Sequence, residues 1–375
     1  MNADLQAQVQ QAIEQMVESG AERGVQVAVY QHGKPVVEAA AGVADPDTGR
    51  AVTLGTVFYN WSIGKAATAT VVHVLVERGL FGYDTPVAEL WPEFAAHGKG
   101  GVTVQHALNQ TAGVPGIPLD STIEDLCDWE KMCAAVADAE PWWEAGTKIG
   151  YHAYTFGYIL GEVVRRVTGR PISRVLEEEV AGPLGVSGEL YFGMPASEHG
   201  RLARLEDAPM PEGQAPEAEA FGEMPADLPL FRSAPMHAFP TAALGNRTDM
   251  LEADIPAGGK TSARAMARLY AALLDEVDGV RLISPERLAE VTAPSASGPD
   301  QVFGMPTTWG LGYSVGFPMD PELDSPTLFG VGGVGGSFAC GDTATGIAFA
   351  LTKNRLTNDM NAVGQVLPLV IKALS

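Results

Sequence analysis

The spacing of apolar side chains divides this chain into elements. Leu5, Val9, Ile13 and Met16 recur at intervals of four, four and three, one face of an amphipathic helix over residues 3–18. In VQVAVYQHGKPVVEAAAGVA, two β-rich runs flank Gln31-His32-Gly33-Lys34, which predicts a hairpin. Helical spacing runs from Ser62 to about Leu80, where Arg78-Gly79 supplies a basic last turn and a C-cap glycine. Residues 103–110 predict a short helix, and 154–168 a stronger one stopped by Thr168-Gly169-Arg170-Pro171. A further helix is expected over 262–276. Trp309–Phe317, Ser337–Cys340 and Gly346–Thr352 are short strand-like runs, and 360–373 closes the chain as a helix. Strand patterns thus lie near both ends, with helices between them. This predicts one sheet built from both termini. A discontinuous α/β domain would take residues 1–60 and 255–375, and a mainly helical domain residues 61–254. Residues 206–240 hold seven of the 26 prolines, an irregular excursion of the length that often serves as a lid.

Composition narrows the function. At 375 residues and 46% hydrophobic, the chain can bury a large core without disulfides or metals. Its net charge of −22 argues against nucleic acid as the main ligand and against docking to an anionic membrane. Cys127, Cys133 and Cys340 make no CxxC pair, so neither a zinc site nor a disulfide framework is expected. The N-terminal stretch lacks a basic n-region and an apolar h-region, and no run approaches the ~18 apolar residues of a membrane span. A soluble cytoplasmic protein is the expectation.

Several familiar motifs fail on context. Ser62 has Gly64 after it but Asn60 before it, so there is no G-x-S-x-G elbow. Gly259-Lys260-Thr261 resembles the end of a P-loop, but Asp254 stands where its first glycine belongs. Gly330-Val331-Gly332-Gly333-Val334-Gly335 spells G-x-G-x-x-G, yet the segment after it is strand-like rather than helical, so a dinucleotide site is not expected.

The chemically informative stretch is Phe58-Tyr59-Asn60-Trp61-Ser62-Ile63-Gly64-Lys65. A serine and a lysine three apart on a new helix share one side. Seryl oxygen needs a nearby base, and a lysine among apolar groups loses proton affinity through desolvation. A serine at a helix start also offers its backbone N–H to a developing oxyanion. The same pair fits an N-capping serine followed by a solvated lysine.

The surrounding segments resemble the serine β-lactamase and penicillin-binding protein superfamily, specifically class C β-lactamases and family VIII carboxylesterases. The resemblance is carried by Ser62-Ile63-Gly64-Lys65 as the S-x-x-K motif and by Tyr83-Asp84-Thr85-Pro86-Val87. Leu108-Asn109-Gln110-Thr111-Ala112-Gly113-Val114-Pro115-Gly116 and the segment from Pro141 to Tyr151 continue it in register. It implies the β-lactamase/transpeptidase-like fold, an α+β architecture with an antiparallel sheet. It also implies Ser62 as acylated nucleophile, Lys65 as its partner, Tyr151 as base or proton relay, and the backbone N–H groups of Ser62 and Val334 as oxyanion donors. No cofactor or metal is implied.

Three departures shape the expectation. Ala153 replaces the asparagine of the tyrosine motif. Val331-Gly332-Gly333 stands at the K-T-G position, without a charged anchor for a β-lactam carboxylate. Gln110 replaces a frequent histidine. Gln110, His152, Ala153, Val331, Gly332 and Gly333 are candidate substrate contacts. Lys260-Thr261-Ser262 precedes a helix and is taken as a decoy. His73 is expected to be a core histidine; Trp61, Trp142, Trp143 and Trp309 are expected either in the core or along an acyl pocket. The functions these features leave open are hydrolysis of a small-molecule ester, transfer of its acyl group to an alcohol or amine, and an inert binding module. β-Lactamase activity is expected to be weak or absent.

Overall fold

The computed structural model describes residues 2–208, 229–317 and 323–375. Helix α1 (Ala3–Glu18) is followed by strands β1 (Gly24–Gln31), β2 (Lys34–Asp45) and β3 (Arg50–Ala51). The predicted hairpin joins β1 to β2, with His32 and Gly33 both at positive φ, as a tight two-residue turn requires. The middle of the chain supplies helices α2 (Gly64–Glu77) and α3 (Thr155–Thr168), which pack together. Helix α4 (Ala263–Leu274) comes next. Six strands then complete the sheet: β4 (Ala296–Pro299), β5 (Pro306–Trp309), β6 (Ser314–Val315), β7 (Leu328–Gly333), β8 (Ser337–Asp342) and β9 (Ile347–Lys353). Helix α5 (Asn361–Leu374) ends the chain.

The nine strands run in the order β3-β2-β1-β9-β8-β7-β6-β5-β4, and every neighbouring pair is antiparallel. The first three strands thus meet the last six where β1 pairs with β9, Val25 opposite Lys353 through Gln31 opposite Ile347. This is the sheet from both termini that the patterning predicts. The run Trp309–Phe317 is not one strand, because Gly310–Tyr313 closes a turn that splits it into β5 and β6.

Alternation assigns the two faces. Val25, Val27 and Val29 of β1, with Phe349 and Leu351 of β9, join one core with Leu5, Val9, Ile13 and Met16 of α1 and Val363, Val366 and Val370 of α5. Ala28, Ala348 and Ala350 point the other way, and these small side chains let α4 lie close against the sheet. A smaller three-stranded sheet places Lys260–Thr261 between Phe58–Tyr59 and Leu190–Tyr191. It ties the entrance of α2 to the segment before α4. Within the proline-rich excursion, Glu206–Asp207 pairs with Arg355–Leu356, and the Ser233 carbonyl accepts a hydrogen bond from the Ile117 N–H. Of the excursion expected over residues 206–240, residues 209–228 lie outside the described residues. Among the described residues no helix is long and apolar enough to cross a membrane.

Candidate active site

The chain enters α2 through a locked turn. Asn60 donates its side-chain amide to the Thr261 carbonyl (3.1 Å) and hydroxyl (2.7 Å), and its N–H to the Gly259 carbonyl (2.8 Å). The Gly259 N–H returns to the Trp61 carbonyl at 3.0 Å. Trp61, stacked on Tyr59 with ring centroids 4.3 Å apart, sits at φ +49°, a strained conformation for a bulky residue. Ser62 follows in a 3-10 turn, Trp61–Ile63, where N–H groups lack partners within the helix. Gly64 then presses on the 258–259 backbone: a Cβ there would lie 2.3 Å from the Gly258 carbonyl carbon. This close approach brings the neighbouring Ala257 carbonyl to the first turn of α2.

Lys65 lies three residues after Ser62 with no exposed surface. Its Nζ reaches Ser62 Oγ at 3.2 Å, the Ala153 carbonyl at 2.7 Å and the Ala257 carbonyl at 3.1 Å. These acceptors are neutral, so burial pushes the ammonium down to about 7. At neutral pH a large fraction is free amine, placed to accept the Ser62 proton. On the other side, Tyr151 donates its phenol to Ser62 Oγ at 2.7 Å. Burial raises its pKa well above the ordinary value, opposed by the Ser62 hydrogen bond and helped by the charge on Asp300. Tyr151 therefore stays protonated while a large fraction of Lys65 is free amine, which separates a proton donor from a proton acceptor around one hydroxyl. Ser62, Lys65 and Tyr151 are thus brought together.

The expected substrate contacts divide. His152 is corrected: it has no exposed surface, its Nδ1 faces the Gly150 carbonyl (2.7 Å), and its Nε2 accepts the Val114 N–H (3.2 Å). Burial holds it at about 4, so it is a neutral bracket behind Tyr151. Gln110 is fully buried at φ +65°: it accepts the His152 N–H on Oε1 (2.8 Å), its carbonyl accepts the Gly150 N–H (3.0 Å), and its Nε2 has no hydrogen-bond partner among the described residues. Val331 is the second correction, because strand alternation turns it to the same face as Phe329, into the core. Ala153 acts through its carbonyl on Lys65, so the missing asparagine amide leaves the lysine with a backbone acceptor.

Gly332 and Gly333 lie in β7, and a Cβ on Gly333 would fall 2.2 Å from the Asn60 carbonyl oxygen. That contact seats the end of β7 on the turn that carries Ser62. Val334 comes next, 46% exposed, and no hydrogen bond among the described residues occupies its N–H. Gly335 is held from behind by the Thr357 N–H (3.3 Å).

Lys260 is buried in the small sheet with its Nζ 4.6 Å from the Tyr59 ring and bonded to the Phe192 carbonyl, while Ser262 caps α4. The Gly330–Gly335 motif occupies an antiparallel strand and its turn, with no helix to cradle a phosphate. His73 is a core histidine, hydrogen bonded to Tyr83 and to the Leu311 carbonyl. Trp61, Trp143 and Trp309 are buried, and Trp309 lies 6.1 Å from the Tyr151 ring. Sequence reasoning misses three groups: the Ala257 carbonyl, the buried Asp300, and Phe303 against Tyr151. The first has no side-chain signal; the others depend on a loop far away in the chain.

The fold and this Ser–Lys–Tyr arrangement meet in one class of protein. The chain belongs to the beta-lactamase family, whose sequence model matches residues 9–366, and it is a serine hydrolase of that family. The esterase/beta-lactamase LipL of Mycobacterium tuberculosis is 36% identical over 345 residues, covering 90% of this chain and 78% of that protein. The crystal structure of a family VIII carboxylesterase superposes with a TM-score of 0.88 at 32% identity, covering 100% of this chain and 99% of the other. A penicillin-binding protein homologue from Caulobacter crescentus gives a TM-score of 0.83, also at 32% identity, over 99% and 98% of the two chains.

Proposed function

We propose that this protein hydrolyses small carboxylic esters through a covalent acyl-enzyme on Ser62. The observation that carries the reading is the Ser62 hydroxyl held between an uncharged-prone amine at 3.2 Å and a phenol at 2.7 Å. Neutral Lys65 takes the Ser62 proton as Oγ attacks the ester carbonyl. The N–H groups of Ser62 and Val334 receive the oxyanion, a task that backbone dipoles perform whatever the side chain. As the tetrahedral species collapses, the C–O bond to the alcohol breaks and Tyr151 gives its proton to the departing oxygen. The Lys65 ammonium, whose Nζ lies 4.8 Å from the centre of the Tyr151 ring, then returns a proton to the Tyr151 phenolate, which resets both groups. Water then repeats the sequence on the acyl-enzyme, releasing the acid and free Ser62. LipL and the family VIII carboxylesterase are named as esterases, which supports ester as the substrate class.

The test is intact mass after incubation with a fluorophosphonate, together with p-nitrophenyl butyrate turnover, for wild type and Ser62→Ala. A single adduct and turnover on wild type alone are expected. An adduct of equal yield on Ser62→Ala, or turnover that survives the substitution, removes Ser62 from the mechanism.

A further inference from the structure

A buried carboxylate shapes one wall of the site. Asp300 is 4% exposed and forms no ion pair among the described residues. Its Oδ1 accepts the N–H groups of Val302 (2.8 Å) and Phe303 (2.9 Å), and the N–H of the next residue, Gln301, donates to the Ile149 carbonyl (2.8 Å). The loop closes on itself through Asp300 N–H to the Met305 carbonyl (2.9 Å) and Gly304 N–H to the Asp300 carbonyl (2.7 Å). The Asp300 side chain thus fixes the shape of its own loop, and Gln301 ties that loop to the chain two residues before the tyrosine that touches Ser62. What the loop presents is Phe303, 37% exposed, its ring 5.1 Å from that of Tyr151 at 43°. Trp309, on the same tyrosine, is 5% exposed, as a side chain serving only the core would be. Met305, two residues on in the same loop, is 62% exposed, so the loop presents two apolar side chains to solvent, one of them packed on the Tyr151 ring.

We propose that Phe303 is a specificity-determining residue that forms an apolar wall for the departing alcohol, so that the enzyme prefers esters of aromatic alcohols. This rests on the ester hydrolysis proposed above. In that reaction Tyr151 protonates the leaving oxygen, and the oxyanion lies toward Val334. A ring packed on Tyr151 therefore meets the alcohol portion. During acylation the Ser62 Oγ–acyl bond forms, the acyl–oxygen bond to the alcohol breaks, and the alcohol leaves along the Phe303 face with the Tyr151 proton.

The experiment compares kcat/KM for phenyl butyrate, phenyl acetate and ethyl butyrate in wild type, Phe303→Ala and Phe303→Leu. Intrinsic ester reactivity cancels in each variant-to-wild-type ratio. Phe303→Ala is expected to lower both phenyl esters about fivefold, the scale of one aromatic contact, and to leave ethyl butyrate within about twofold. Phe303→Leu is expected to recover part of the loss. The deacylation rate, measured on the butyryl-enzyme common to two of the substrates, is expected to be unchanged. Equal losses on phenyl and ethyl butyrate overturn the proposal and make Phe303 a support for Tyr151. A loss that tracks the acyl chain overturns it in favour of an acyl wall. A wild type inactive on all three esters overturns the ester reading itself, and the alcohol wall with it.

Discussion

Two lysines with no exposed surface stand on either side of the entrance to α2, and burial brings each down to about 7. Lys65 faces a hydroxyl, two carbonyls and the Tyr151 ring. Lys260 faces the Phe192 carbonyl, the Tyr59 ring and, at longer range, the charge of Asp254. Both amines are buried among carbonyls and an aromatic ring, but only Lys65 has a hydroxyl, Ser62 Oγ, within reach. Desolvation thus makes an amine available as a base, but a nucleophile within reach makes it useful. A perturbed lysine alone is therefore weak evidence for a site.

Substitution is the hardest test of this contrast. Lys65→Met is expected to lower ester kcat/KM by about a thousandfold, in the range of a lost general base. Lys260→Met should stay within about threefold, measured on the same substrate. Comparable losses in both would show that the two amines share a structural task. A pH profile sharpens the assignment. Activity requires neutral Lys65, so kcat/KM should fall about tenfold per pH unit below about 7, and Lys260→Met should keep that limb.

Stability should respond to both lysines equally. Each has a folded pKa near 7 and an unfolded one near its ordinary value, about 10.4. Between those values the unfolded chain holds the extra proton, so each lysine makes stability rise with pH, by at most about 1.4 kcal/mol per unit. Its penalty is full below about 7 and gone above the unfolded value. Denaturant unfolding between pH 7 and 10 should show a slope flattened to a similar degree in Lys65→Met and Lys260→Met. A change in only one would separate their environments. The smallest effect belongs to Ala153→Ser, expected within about twofold in kcat/KM, because the acceptor for Lys65 is the Ala153 carbonyl and not its side chain.

Residues alone could be read only so far. The four apolar positions of α1 are the four it buries, since helical periodicity is a local property. Ser62 and Lys65 were legible for the same reason: residues three apart on one helix need no tertiary information to meet. Tyr151, 89 residues away, came only with the family resemblance. His152 and Val331 were misplaced because the direction of a side chain depends on the loop or sheet that holds it. The tyrosine loop turns His152 onto the Val114 N–H, and the pleat of β7 turns Val331 beside Phe329. The Ala153 and Ala257 carbonyls were invisible, because every residue carries a carbonyl. Asp300 was invisible because its targets are backbone N–H groups of its own loop, which only the fold brings beside Tyr151.

The glycine contacts at the entrance to α2 carry a consequence for how such an enzyme can diversify. At Gly64 and Gly333 the first carbon of any side chain would collide with main-chain atoms, which cannot rotate aside. The floor around the nucleophile is thus closed to mutation whatever the replacement. Phe303, Met305 and Val334 are exposed, so replacements there have solvent to turn into. New substrate ranges should therefore arise by changes at this rim, and a mutant library confined to those three positions should retain far more folded, acylating variants than one of equal size aimed at the floor.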